Sequence, residues 1–180
     1  EDITFRVLRT LKEVDLIAAE DTRNSIKLLN HFDIHTPMTS YHEYNKIEKA
    51  EVLIRKMQEG TNIALITDAG TPGISDPGED LVRMSYEAGI EVTSLPGPAA
   101  CITALTLSGL ATRRFAFEGF LSAQSGERKK HLEKIKPDLV VLTGDIILSK
   151  FQQIDAIQFA QMMERIGVYW TIVFCNDEVR

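Results

Sequence analysis

Only two cysteines, Cys101 and Cys175, occur in 180 residues. They are too few and too far apart for a disulfide framework or a metal cluster, which points to a reducing compartment. No apolar run approaches the ~18 residues of a membrane-spanning helix, and no basic start followed by an apolar core marks a signal peptide. The chain therefore reads as cytoplasmic. Basic residues are outnumbered, 20 Lys and Arg against 26 Asp and Glu, for a net charge of −6. That balance excludes a broad basic surface and leaves nucleic-acid binding only to a local patch. There is no Gly-x-Gly-x-x-Gly, no Gly-Lys-Ser/Thr and no zinc spacing, so dinucleotide, nucleoside triphosphate and metal readings lack support. Internal repeats and low-complexity segments are also missing.

What is present is an ordinary globular composition, 44% hydrophobic and 26% charged, enough to bury one large core or two small ones. The chain is organised around Asp68-Ala69-Gly70-Thr71-Pro72-Gly73-Ile74-Ser75-Asp76-Pro77-Gly78. The apolar run Ile63 to Ile66 precedes it and a helical pattern starting near Glu79 follows, so it reads as strand, long loop, helix. Its glycines permit backbone angles closed to other residues, while Pro72 and Pro77 fix φ and remove two donors. The loop is stiff although irregular. It also exceeds the ~2–6 residues usual between a strand and a helix. After the carboxyl end of a buried strand, where open α/β sheets bind ligands, it offers backbone groups with Asp68, Ser75 and Asp76 to a polar small molecule.

From the N-terminus, Ile3, Val7, Leu8 and Leu11 share one helical face, with Asp2 or Thr4 as cap, and Val14 to Ala19 reads as a strand. Glu20-Asp21-Thr22-Arg23-Asn24 follows that strand, and Ile26, Leu28, Leu29 and Phe32 resume a helix. Thr39 to Asn45 is a second polar and aromatic cluster, ahead of a helix from Ile47 to Met57 that Gly60 stops. Leu81, Val82, Met84 and Ala88 make the next helix, ended by Gly89. Ile90 to Leu95 reads as a strand running into Pro96-Gly97-Pro98. Alternating strands and helices imply a parallel sheet.

A small-residue helix is predicted from Ala99 to Leu110, and a domain boundary falls at 112/113, close to Arg113-Arg114. Phe115 to Leu121 alternates as a strand, which places Phe115, Phe117 and Phe120 in the core. Ser125 to Lys130 leads into a short helix ending before Pro137. Leu139 to Leu142 and Tyr169 to Phe174 read as strands, with a helix around Gln152 to Arg165 between them. Residues 1–112 thus form an N-terminal α/β domain and 113–180 a second α/β unit that is incomplete or divergent. Because Glu1 stands immediately before a helical pattern, the N-terminal domain reads as lacking its first strand.

The Asp68 to Gly78 loop, with Ala19-Glu20-Asp21-Thr22-Arg23 upstream and Leu95-Pro96-Gly97-Pro98 downstream, resembles the ribosomal RNA small-subunit methyltransferase I family, over roughly residues 1–135. Gly119-Phe120-Leu121 and Arg128-Lys129-Lys130 are similar to the start of that family's second domain. The resemblance implies the tetrapyrrole (precorrin) methylase fold: two α/β domains, a largely parallel N-terminal sheet and a cleft between domains for S-adenosylmethionine. It also implies a homodimer that methylates a cytidine 2′-hydroxyl in 16S rRNA of the small ribosomal subunit, without metal or membrane. The family's opening apolar strand and Pro-Ile-Gly-Asn loop are not in this sequence. Its Phe-Tyr-Glu-x-Pro-His-Arg and Arg-Glu-Leu-Thr-Lys stretches are absent after Pro137.

Such a cofactor carries a positive sulfur, an amino-acid end and an adenosine. Asp68, Gly70, Pro72, Ile74, Ser75, Asp76 and Gly97 are the expected cofactor-binding residues, with close backbone approach explaining Gly70 and Gly97. For removing the hydroxyl proton, His42 has the most suitable ordinary pKa, near 6.5, with Asp21 and Glu43 as carboxylate alternatives. Arg23 holds a phosphate or orients a carboxylate, or else pairs with Asp21 to cap the following helix. Arg113, Arg114, Arg128, Lys129 and Lys130 are the RNA-contact candidates, set against a plain solvated surface. Two other functions stay in view: a tetrapyrrole methylase, which needs a macrocycle-sized apolar cleft, and a non-enzymatic ligand- or RNA-binding module.

Overall fold

The computed structural model describes residues 2–68, 70–109, 112–122 and 124–135, with the backbone of two short strands at 139–141 and 172–174. It divides into two compact units, Glu1–Ala99 and Ala100–Arg180. The helix that begins at Ala100 falls in the second of these units.

In the first unit, α1 (Phe5–Glu13) is capped by Thr4, whose hydroxyl accepts from the Val7 N–H. Its Val7, Leu8 and Leu11 face, with Ile3, packs inward as the spacing predicts. Three strands follow, β1 (Leu16–Ala19), β2 (Met38–Ser40) and β3 (Ile63–Ile66), in the spatial order β2-β1-β3 and all parallel. The central strand β1 is closed off from water at Ile17, Ala18 and Ala19. Because successive strand residues face opposite sides, Ile17 and Ala18 belong to different clusters. Ile17 packs with Leu11, Leu29 and Ile34, under α1 and α2 (Thr22–His31). Ala18 packs with Tyr41, Ala50, Leu53 and Leu81, under α3 (Lys46–Gln58) and α4 (Gly78–Glu87). A parallel sheet covered by helices on both faces is the α/β architecture expected from the alternating pattern.

One predicted strand in this unit does not form. Ile90 to Leu95 has no ladder partner among the described residues. Its alternation is real but drives only half-burial of Ile90, Val92 and Leu95. The segment is tied by single contacts instead, with the Thr4 hydroxyl donating to the Pro96 carbonyl. A strand needs a neighbour as well as a pattern.

In the second unit, α5 (Ala100–Leu107) ends before Gly109, which has φ of +72°. Helix α6 (Ser125–Ile135) buries Leu132 and Arg128. Strands β4 (Leu139–Val141) and β5 (Ile172–Phe174) pair antiparallel, Val140 opposite Val173. The predicted strand from Phe115 to Leu121 reduces to a single bridge at Ala116. The core assignment of its aromatics is overturned too: Phe115, Phe117 and Phe120 are 42, 39 and 49% exposed. The predicted helix from Gln152 to Arg165, and Leu110 at the end of the predicted Ala99 to Leu110 helix, lie outside the described residues.

Candidate active site at the strand ends

Parallel pairing sets Ala19 beside both Ser40 and Ile66, so the segments after β1, β2 and β3 emerge along one edge. Backbone bonds continue the pairing past the strands: the Tyr41 N–H donates to the Ala19 carbonyl (2.8 Å) and the Glu20 N–H to the Ile66 carbonyl (3.3 Å). This gathers Glu20–Asn24, Tyr41–Lys46 and Thr67–Gly78 at one rim, as expected for an open sheet.

The glycine loop is held partly by itself. The Asp76 carboxylate accepts from the Gly73 N–H (2.8 and 3.0 Å to its two oxygens) and from the Gly78 N–H (2.7 Å). Asp76 therefore closes the loop onto the first turn of α4, and its oxygens are already committed to backbone. A Cβ on Gly78 would lie 2.7 Å from both Asp76 Oδ1 and Leu65 Cδ2. Between these residues Ser75 takes φ of +56°, a left-handed conformation costly for a side-chain-bearing residue.

The other half of the loop is held from outside. Gly70 has φ of +97°, and a Cβ there would meet the Pro98 carbonyl oxygen at 2.5 Å. That same carbonyl accepts from the Thr71 N–H (3.0 Å) and hydroxyl (3.1 Å). A Cβ on Gly97 would stand 3.3 Å from Thr71 Oγ1. The close approach that these glycines permit is thus between two stretches of this chain. Pro72 and Ile74 present apolar surface, with Ile74 exposed.

At the end of β1, Asp21 caps α2 by accepting from the Arg23 N–H (2.8 Å), and the Arg23 guanidinium grips both of its oxygens (3.0 and 2.7 Å). These bonds, the side-chain one foremost, lower the Asp21 pKa to about 2. Of the two readings of Asp21 and Arg23, the structure displays the helix-capping pair. Next to them the Glu20 carboxylate accepts from the Thr67 hydroxyl (2.6 Å) and the Asp68 N–H (3.4 Å), while the Asn24 amide donates to Asp68 Oδ2 (2.9 Å).

At the end of β2, Tyr41 is 1% exposed and its hydroxyl donates to the Pro77 carbonyl (2.8 Å), tying this segment to the glycine loop. Burial, before any charge, raises its pKa to about 12. The His42 N–H donates to Asn45 Oδ1 (2.8 Å), which orients that amide. Its NH2 group then faces His42 Nε2 (3.3 Å) and Ser40 Oγ (3.3 Å). An NH2 can only donate, so this contact is a hydrogen bond where Nε2 is the accepting nitrogen. Among the described residues Nδ1 is itself buried without a hydrogen-bond partner. Glu43 pairs with Lys46 (3.0 Å), and Lys46 with Asp80 (2.9 Å), which raises the lysine pKa, the Asp80 bond foremost.

Glu20, Tyr41, Leu65, Ile66, Thr67, Pro72, Asp76, Pro77 and Gly78 line a shallow depression with a cavity volume of about 10 Å³, far below the ~300–1,000 Å³ of small-molecule sites. Among the described residues no group of His, Cys, Asp and Glu could hold a metal ion, and no helix is long and apolar enough to cross a membrane. In the second unit, Arg113, Arg114, Lys129 and Lys130 are exposed. Arg128 differs: it is 7% exposed and donates to the Ser122 carbonyl (2.9 Å), so it serves the packing of α6 and is removed from the RNA-contact candidates. Glu20, Asn24 and Tyr41 are among the rim residues that sequence reasoning left without a role. The rule that polar residues after parallel strands converge would have flagged all three.

A profile of the tetrapyrrole (corrin/porphyrin) methylases matches residues 1–163. The chain is 58% identical over 135 residues to "Ribosomal RNA small subunit methyltransferase I" of Haemophilus influenzae, covering 75% of this chain and 48% of that protein. It is 55% identical over 134 residues to the protein of the same name from Synechocystis, covering 74% and 48%. The chain spans about half the length of the curated relatives it matches. Among solved structures, a uroporphyrin-III-C-methyltransferase from Thermus thermophilus aligns with a TM-score of 0.61 at 14% identity, over 97% of this chain and 88% of that one. A putative cobalamin-synthesis protein from Corynebacterium diphtheriae aligns with a TM-score of 0.52 at 16% identity, over 98% and 93%. At those identities the likeness is one of fold.

Proposed function

The chain belongs to the tetrapyrrole (corrin/porphyrin) methylase family, and from that premise we propose that it is an S-adenosylmethionine-dependent methyltransferase acting on a cytidine 2′-hydroxyl in 16S rRNA of the small ribosomal subunit. The observation carrying this reading is the 58% identity to a protein named for ribosomal RNA methylation. An alignment over 135 of 180 residues necessarily includes residues 46 to 135, and hence the whole glycine loop.

The rim suits the cofactor in chemistry. Asp68 is exposed, and only one of its oxygens, Oδ2, is engaged among the described residues, so an acceptor stands ready for an ammonium or hydroxyl donor. The bound cofactor supplies a methyl group made electrophilic by its cationic sulfur. Gly70, Pro72, Ile74, Ser75 and Gly97 form the supporting surface in this reading, and Asp76 acts by keeping the loop in shape. Holding the ribose hydroxyl in line with the methyl contributes ~7–11 kcal/mol through positioning alone.

His42 is the proposed general base, through Nε2 once the Asn45 amide turns aside. Asp21 and Glu43 are weaker candidates because Arg23 and Lys46 occupy them. Arg113, Arg114, Lys129 and Lys130 are the proposed phosphate contacts. A homodimer would gather those patches from two subunits and offset the acidic net charge.

The test is transfer of labelled methyl from S-adenosylmethionine to unmethylated small subunits, naked rRNA and precorrins. Label in the 2′-O position of a small-subunit cytidine is the expected result. Label in precorrins alone would mean a tetrapyrrole methylase, and no label anywhere a binding module. His42→Ala should lower kcat by ~10²–10⁴ with KM little changed if the ring is the base; a loss under tenfold excludes that role. Replacing Lys129 and Lys130 with Ala should reduce the salt slope of subunit binding by about one for each phosphate no longer neutralised. Light scattering on active protein decides the dimer, since a monomer at full rate refutes it.

A further inference from the structure

Asp68 lies in a tight turn closed by a bridge between Thr67 and Gly70, and residues 44 to 48 positions away in sequence hold it at two points. Glu20 Oε2 receives the Thr67 hydroxyl and the Asp68 N–H, which anchors the backbone. Asn24 Nδ2 donates to Asp68 Oδ2 at 2.9 Å, which sets the carboxylate plane. Glu20 and Asn24 flank the capping pair Asp21 and Arg23, so the start of α2 is itself fixed before it reaches across to the loop.

From this arrangement we infer that Glu20 and Asn24 are positioning residues for Asp68: they present its second oxygen, Oδ1, to an ammonium or hydroxyl donor of S-adenosylmethionine. The inference rests on the methyltransferase reading above. Three features carry it. The Asn24–Asp68 bond lies on an exposed rim, where such a bond adds little to folding. It uses one carboxylate oxygen and, among the described residues, leaves the other uncommitted. It also joins two segments that parallel pairing already brings to the same edge, so it adds orientation rather than connection. A carboxylate held in one plane loses less freedom on meeting a ligand than one that rotates, and the binding gain appears as affinity.

The experiment is a double-mutant cycle read by calorimetry with S-adenosylmethionine on the full chain. Asn24→Ala should weaken binding about five- to tenfold, in the range of a typical net hydrogen bond. Asp68→Ala should weaken it at least as much, and Asn24→Ala in the Asp68→Ala background should have no further effect. Glu20→Ala should weaken binding, while Glu20→Gln, which keeps the acceptor for Thr67, should restore most of it. Melting temperatures should stay within a few degrees of wild type, and Asn24→Ser serves if Asn24→Ala does not fold. Full additivity of Asn24→Ala and Asp68→Ala overturns the positioning role while leaving the cofactor reading intact. Unchanged affinity in Asp68→Ala overturns both this inference and the Asp68 contact. Absence of S-adenosylmethionine binding by the unaltered chain overturns the functional reading and this inference with it.

Discussion

Thr67 to Thr71 and Gly73 to Gly78 belong to one loop but are held by different means. The later half is closed by its own Asp76, whose carboxylate takes backbone donors from both flanks. The earlier half is fastened from outside, by Glu20, Asn24 and the Pro98 carbonyl. The difference teaches that side chains in such a loop need not face a ligand: Asp76 builds the platform, whereas Asp68 has an oxygen to offer. A carboxylate that caps its own loop is a structural part even in the middle of a motif.

The sharpest way to break this comparison is to put one methyl group in each half. Gly70→Ala combines a forbidden φ with a 2.5 Å clash against backbone, and should cost about 3 kcal/mol, or roughly 6–12 °C of melting temperature. Gly73, with φ of +86° and nothing within 4 Å of an added Cβ, should lose only ~1 kcal/mol as Gly73→Ala. Equal losses at the two sites would mean that the Pro98 contact does not constrain the loop. It follows that weakened cofactor binding in a Gly70 variant says nothing of ligand contact unless folding is measured beside it.

Next in size is Asp76→Ala, which strips acceptors from two backbone donors and should destabilise by ~2 kcal/mol in chemical denaturation. Asp68→Ala, its counterpart in the other half, should unfold at nearly the wild-type denaturant midpoint. A midpoint shift as large in Asp68→Ala as in Asp76→Ala would erase the distinction.

Tyr41→Phe should cost about 1–2 kcal/mol by leaving the Pro77 carbonyl without its donor. The intact tyrosine also predicts a pH dependence. Its pKa rises from 10.0 to about 12 on folding, so its contribution is full below pH 10 and declines as pH rises toward 12. Melting curves between those values should fall more steeply for wild type than for Tyr41→Phe. Parallel curves would show that the phenol is not held as described.

The smallest effect belongs to Asp21. Its pKa falls from 3.8 to about 2, so its contribution is present above about pH 4 and is lost as pH drops toward 2. Asn also caps helices, hence Asp21→Asn should melt almost as wild type at neutral pH and lose less than wild type on acidification. A large neutral-pH loss would mean that the Arg23 pair does more than cap.

Much of the first unit was legible in the sequence because its signals are local. Ile63 to Ile66 is a strand with the bounds read from its apolar run, and the Ile3, Val7, Leu8 and Leu11 spacing is the packed face of α1. The density of Gly and Pro from Asp68 to Gly78 marked the loop, since few other residues tolerate its backbone angles. What the earlier half of the loop touches was not legible, because those partners are 27 to 48 positions away. Only tertiary structure decided that Gly70 makes room for the Pro98 carbonyl, that Arg128 is buried, and that Ile90 to Leu95 and Phe115 to Leu121 form no ladder among the described residues. Periodicity states which side chains would share a face. Whether that face meets a partner depends on chain segments that no local pattern contains.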